Sequence, residues 1–106
     1  MKIIQAIIRP EKEKEVLSNL EKAGIHAFTR LDVSGRGRQK GIQVGPVRYE
    51  EMAKTWLLVI VKDDVLDRAL ETIKIGARTG NPGDGKIFVS SLLESRTLRT
   101  QSKDKE

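Results

Sequence analysis

Two glycine-rich basic stretches hold the residues of this 106-residue chain whose types and spacing best suit chemistry. The first is Gly35-Arg36-Gly37-Arg38-Gln39-Lys40-Gly41. Two arginines separated by one glycine can clamp phosphate oxygens in fork geometry. The second is Gly80-Asn81-Pro82-Gly83-Asp84-Gly85-Lys86-Ile87, where glycines let backbone N–H groups approach an anion and Lys86 adds a point charge. Its spacing matches G-x-x-x-x-G-K, but Ile87 stands where the Mg²⁺-binding Ser or Thr belongs. The context is also inverted. A P-loop runs from strand to helix so that the helix N-terminus meets the phosphates, whereas this loop leaves a helical pattern and enters a strand. A P-loop NTPase is therefore excluded. On residues alone, each stretch reads equally as a solvated turn: a tight helix-to-strand connection in one case and an exposed basic loop in the other.

Composition narrows the partners. The net charge of +5 favours an anion without saying which kind. Positive charge concentrates in residues 35–54, where Arg36, Arg38, Lys40, Arg48 and Lys54 face only Glu50 and Glu51. With no cysteine there is no disulfide or thiolate chemistry, and a single histidine makes a His-based metal site improbable. No apolar run approaches the roughly 20 residues that span a bilayer, and the start of the chain lacks a cleavage-site pattern. A cytoplasmic protein without membrane insertion is the expectation.

The elements that must position these residues follow from periodicity. A strand is expected over 2–8, with Ile3, Ile4, Ile7 and Ile8. Pro10 closes it and opens a helix near residue 11, with Val16, Leu17, Leu20 and Ala23 on one face and Gly24 at its C-terminus. A second strand is expected over about 26–34, then a long loop over about 36–54 of a length that is usually functional. The apolar run 56–61 reads as a central strand, with Trp56 in the core. Asp63 or Asp64 can cap a second helix whose apolar face is Val65, Leu66, Ala69, Leu70 and Ile73. The second glycine-rich loop occupies 79–86 and leads into a last strand over 86–90. Residues 101–106 read as a polar, frayed tail. The order β-α-β-β-α-β predicts one α+β domain over 1–100: a ferredoxin-like, four-stranded antiparallel sheet with two helices on one face. The face without helices is left for neighbouring subunits.

Together the two loops resemble the PII signal-transduction family. The likeness runs from Met1 to about Thr100 and is most specific in residues 35–41, in Thr79-Gly80 through Gly83-Asp84-Gly85-Lys86-Ile87-Phe88-Val89, and in Ala6-Ile7-Ile8-Arg9-Pro10. The resemblance implies a trimer that binds ATP or ADP in clefts between subunits, and a loop after the second strand, the T-loop, that contacts target proteins. By position, Gly37, Arg38, Gly83, Asp84, Gly85 and Lys86 would surround the phosphates, Thr29 and Thr79 would lie along the nucleoside, and Arg99 would reach phosphate from the C-terminal segment. Gln39 would ligand a Mg²⁺ that also chelates 2-oxoglutarate, and Lys54 would pair with the 2-oxoglutarate carboxylate. Both loops would meet across a subunit boundary.

The chain departs from the common family pattern at three points. Thr97 stands where an arginine usually precedes Arg99, the T-loop is short, and Leu58 takes a strand position that is often acidic. The run Gly41-Ile42-Gln43-Val44-Gly45-Pro46-Val47-Arg48-Tyr49 is similar to the NifI branch, which is linked to nitrogen fixation. That likeness implies a homotrimer or a mixed complex with a second PII-like subunit, and dinitrogenase as the target, with Arg48 and Tyr49 at the partner surface. Regulation of ammonium transport or nitrogen assimilation is the alternative within the family.

Other chemistry is poorly supported. An RNA-recognition module shares this element order but needs stacking aromatics on its two central strands, and aromatics make up only 4% of the chain. Nucleic acid is not expected as a partner. Glu50-Glu51 and Asp63-Asp64 read as solvated or capping pairs, and His26 as structural. No nucleophile–base pair is visible, so no enzyme is expected.

Overall fold

The computed structural model describes residues 1–37, 42–49 and 51–104. Four strands form one antiparallel sheet: β1 (Lys2–Ile8), β2 (Thr29–Gly35), β5 (Met52–Val61) and β6 (Lys86–Ser91), in the order β2-β5-β1-β6. Two helices, α1 (Glu13–Lys22) and α2 (Leu66–Ala77), complete the ferredoxin-like α+β fold. A short hairpin, β3 (Ile42–Val44) with β4 (Val47–Tyr49), lies within the long connection between β2 and β5. A second, β7 (Arg96–Thr97) with β8 (Ser102–Lys103), follows the sheet.

Alternation decides which face is buried. Ile4, Ala6 and Ile8 of β1 and Leu57, Val59 and Val61 of β5 point to the helix side, where Val16, Leu20, Ala69 and Ile73 cover them. The helices cross closely where Gly76 meets Val16, since a Cβ on Gly76 would sit 3.0 Å from Val16 Cγ2. Pro10 starts a short 3-10 turn, Pro10–Lys12, that leads into α1. The far end of α1 closes with Gly24 at φ +84, the Gly24 amide donating to the Glu21 carbonyl and the Ile25 amide to that of Leu20. These two bonds satisfy carbonyls that the helix leaves over.

Several boundaries differ from expectation. β2 begins at Thr29, so His26 lies in the connection before it. β5 begins at Met52, which puts Lys54 inside a strand and shortens the expected 36–54 loop by its last residues. Trp56 lies on the face away from the helices, half-buried, with its indole N–H donating to Gln5 Oε1 at 3.0 Å. Asp63 makes no cap bond and instead pairs with the Met1 amine at 3.0 Å. The expected frayed tail folds back through residue 104, because the Asp104 carboxylate accepts from Ser95 and Thr97, each at 2.6 Å. No helix among the described residues is long and apolar enough to cross a membrane.

Replacing Ile73 by Ala should lower the unfolding free energy by about 2–5 kcal/mol, the range for emptying a fully buried aliphatic site. The exposed Ile75 on the same helix should tolerate Ala within about 0.5 kcal/mol. Urea unfolding of the two variants checks the helix orientation, and equal losses would contradict it.

Candidate functional site

Strand register brings the second glycine-rich stretch and the start of the first, residues 35–37, to one end of the sheet. Leu31, Trp56, Ile7 and Lys86 stand in one row across all four strands. Beyond that row β2 runs out at Gly35, β5 has just begun, and β1 hands over to Arg9. The loop 79–85 enters β6 at this same end. Its path is fixed by close backbone packing: a Cβ on Gly85 would lie 1.7 Å from the Ile7 carbonyl oxygen, and φ at Gly85 is +100. Only glycine fits there.

Asp84 organises the loop. Its carboxylate accepts from Arg9 Nε at 2.9 Å, from the Thr79 amide at 2.9 Å, from the Gly80 amide at 2.8 Å and from the Thr79 hydroxyl. The Thr79 hydroxyl accepts in turn from the Asn81 amide at 3.1 Å, and Arg9 Nη2 donates to the Pro82 carbonyl at 2.7 Å. Burial works against the Asp84 charge. The hydrogen bonds from Thr79, Arg9 and the Gly80 amide outweigh it and hold the carboxyl well below the usual carboxylate range.

Lys54 ties the loop to β5. It is only 8% exposed, and its ammonium donates to the Gly83 carbonyl. Burial pulls its pKa down and the Arg9 guanidinium adds to that, while Glu11 and Asp84 oppose both. The contact between the glycine-rich loop and the strand following the long connection is thus made inside one chain. Beside it, between the end of α2 and the start of β6, lies a cleft of about 400 Å³. Its lining includes Ile7, Ala77 and Ile87, with Lys74, Arg78 and Lys86 bringing positive charge to it against the single carboxylate of Asp84.

The remaining expected residues divide in two. Gly83, Asp84, Gly85, Lys86, Thr79 and Lys54 gather at this end, and Gly37 follows β2 toward it. Thr29 does not, because it is on the opposite edge strand, paired with Leu58. Three inter-strand spacings, roughly 14 Å, separate that edge from β6. Arg99 lies in the exposed turn between β7 and β8, which follows the far end of β6. Arg38 and Gln39 fall outside the described residues, as do the side chains of Arg48 and Tyr49, whose backbone belongs to β4. Sequence reasoning missed Arg9 as a participant. The available signal was a long cation placed immediately before Pro10 at a strand end. Among the described residues no three His, Cys, Asp or Glu side chains gather as a metal site.

Gly85→Ala should cost about 2–5 kcal/mol, combining a backbone clash with a disfavoured φ; a urea midpoint matching wild type would contradict the packing. A second expectation concerns pH. The folded pKa of Asp84 lies below its unfolded value of about 3.9. Its charge therefore contributes stability that is complete above about pH 5 and is lost as pH falls through the unfolded and then the folded value. Asp84→Asn should be less stable at neutral pH and flatter toward pH 2 in thermal melts. Parallel curves for the two proteins would count against the assignment.

The family described as "Nitrogen regulatory protein P-II" matches residues 1–102. The chain is 48% identical over 100 residues to the "Nitrogen fixation nifHD region GlnB-like protein 1" of Methanothermococcus thermolithotrophicus, covering 94% of this chain and 95% of that one. It is 47% identical over 102 residues to the protein of the same description from Methanococcus maripaludis, covering 96% and 97%. The "Nitrogen regulatory protein P-II 2" of Methanothermobacter thermautotrophicus is 44% identical over 110 residues, covering 100% of this chain and 96% of that protein. With the sheet order, the glycine-rich turn and matches of this extent in agreement, the chain belongs to the P-II family of nitrogen regulators, in the branch of the nif-region GlnB-like proteins.

Proposed function

We propose that the protein binds ATP or ADP at this end of the sheet and reports the occupied state to a target through the connection between β2 and β5. The observation that carries the reading is the Lys54–Gly83 bond, which links the phosphate-type loop to the strand that the connection feeds. A nucleotide drawing on this loop would alter the restraint on that strand's first residues. The available groups suit a phosphate: glycine-rich backbone, Lys86 and the cationic cleft wall offer donors and charge. They suit Mg²⁺ only through phosphate oxygens and Gln39, since hard cations take oxygen ligands. Gln39 would hold the ion, Lys54 would face a carboxylate of 2-oxoglutarate, and Arg38 would clamp phosphate. The ion, when bound, would supply charge neutralisation between phosphate and 2-oxoglutarate.

The assembly is a homotrimer or a mixed complex with a second PII-like chain. Leu31, Ile60 and Phe88 are exposed on the sheet face that lacks helices. A second copy there also offers the means for Thr29 and Arg99 to share a ligand with loop 79–86. The role is regulatory, and dinitrogenase is the proposed target, in keeping with relatives described by the nifHD region. Effector and nucleotide act through differential affinity for two poses of the connection.

Calorimetric titration with ATP, with and without 2-oxoglutarate, tests the reading. ATP affinity should change when 2-oxoglutarate is present, and indifference would argue against coupling. Arg38→Ala should weaken ATP binding by about 1–3 kcal/mol. Affinity equal to wild type would remove Arg38 from the phosphate site.

A further inference from the structure

An ionised carboxylate offers about four lone-pair sites, and four donors converge on Asp84: Arg9 Nε, the Thr79 amide, the Thr79 hydroxyl and the Gly80 amide. No capacity remains for a cation, and a bare carboxylate facing a phosphate would repel it. Thr79 is committed as well, since its hydroxyl donates to Asp84 and accepts from the Asn81 amide. Arg9 spans the cluster, joining the Asp84 carboxylate through Nε and the Pro82 carbonyl through Nη2. Its side chain is 17% exposed, so it is fixed in place and not extended toward solvent. The flexible glycine-rich turn is thereby tied to the end of β1 at two points, and Lys54 ties it to β5 at a third.

The geometry points to Asp84 and Arg9 as positioning residues, whose bonds to Thr79, Gly80 and Pro82 hold loop 79–85 in its anion-receiving form. This rests on the nucleotide-binding reading for its consequence but not for its structure. Asp84 takes the Thr79 and Gly80 amides, so the backbone donors left for an anion lie at Gly83 and beyond. Arg9 neutralises the carboxylate that would otherwise oppose a phosphate at this end. The arrangement organises a loop that needs glycine for its close backbone approach and would otherwise be conformationally free.

The test is amide hydrogen exchange on the nucleotide-free protein, followed by ADP titration. Wild type should protect the Thr79 and Gly80 amides. In Asp84→Asn the new amide nitrogen is itself a donor facing donors, so exchange at those two positions should rise at least tenfold while β1 and β5 amides keep their protection. ADP should bind at least tenfold more weakly to that variant, with the Mg²⁺ dependence of binding unchanged. Arg9→Lys, which keeps the charge but cannot span both partners, should fall between the two. Unprotected amides in wild type, or equal protection in Asp84→Asn, would overturn the clamp. Retained ADP affinity despite lost protection would overturn its role in positioning, and a lost Mg²⁺ dependence would make Asp84 a ligand instead. If wild type takes up no ADP at all, the nucleotide reading falls, and the exchange result alone decides the clamp.

Discussion

Two cations, Arg9 and Lys54, converge with one half-buried carboxylate, Asp84, at the end of the central strands, and the shape and charge of the loop depend on that meeting. A buried ion pair contributes stability only when its geometry is good and its remaining valences are filled. Here Asp84 meets that condition, with its oxygens fully engaged by side-chain and backbone donors. Lys54 does not, because its neighbour Arg9 repels it and its bond goes to a neutral carbonyl, that of Gly83. Glu11 offers partial relief, 3.8 Å from Arg9 on an exposed side chain. With Lys86 at the start of β6 counted, three cations stand against Asp84 and the exposed Glu11, so this end of the sheet keeps an excess of positive charge. A folded surface that holds uncompensated positive charge beside glycine-rich backbone is prepared for an anion.

That charge is fixed in place by ordinary features of the fold. The alternation that buries Ile4, Ala6 and Ile8 also brings Arg9 out at the strand end, where Pro10 turns the chain into α1. The antiparallel register that sets Ile7 beside both Trp56 and Lys86 brings three chain segments to one edge of the sheet. Because Gly85 lies against the Ile7 carbonyl, the loop cannot slide away from β1 without losing that packing. The polar cluster and the apolar core are thus coupled. A displacement of the loop would be felt at Lys54, three residues into the strand that emerges from the long connection. Under the proposed function, this is the physical route by which occupancy of the loop would reach a partner surface.

Much of this was readable from residue order. The strand over 2–8, both helix faces and the glycine-rich turn before Lys86 follow from apolar spacing and from Pro10, Gly24 and the glycines themselves. What escaped sequence reasoning has a common cause. The first residues of β5 include Lys54 and Thr55, which look like loop because their burial comes from neighbouring chain segments and not from their own character. Trp56 looks like core but faces away from the helices, a matter of strand parity that a continuous apolar run conceals. The β7–β8 hairpin has no hydrophobic pattern and is held by Ser95, Thr97 and Asp104, so it reads as tail. Thr97 is used within that hairpin, where its hydroxyl donates to Asp104. The Arg9–Asp84 contact joins residues 75 positions apart, beyond the reach of any local signal.

The most direct measurement is a crystal structure of the protein grown with ADP. The expected result is a nucleotide whose phosphates rest against backbone at Gly83 to Lys86, with the Asp84 carboxylate still turned toward Thr79 and Arg9. A second copy of the chain should bring Thr29 or Arg99 to the same molecule. A nucleotide bound elsewhere, or phosphates in contact with an Asp84 that has released Arg9, would contradict that expectation.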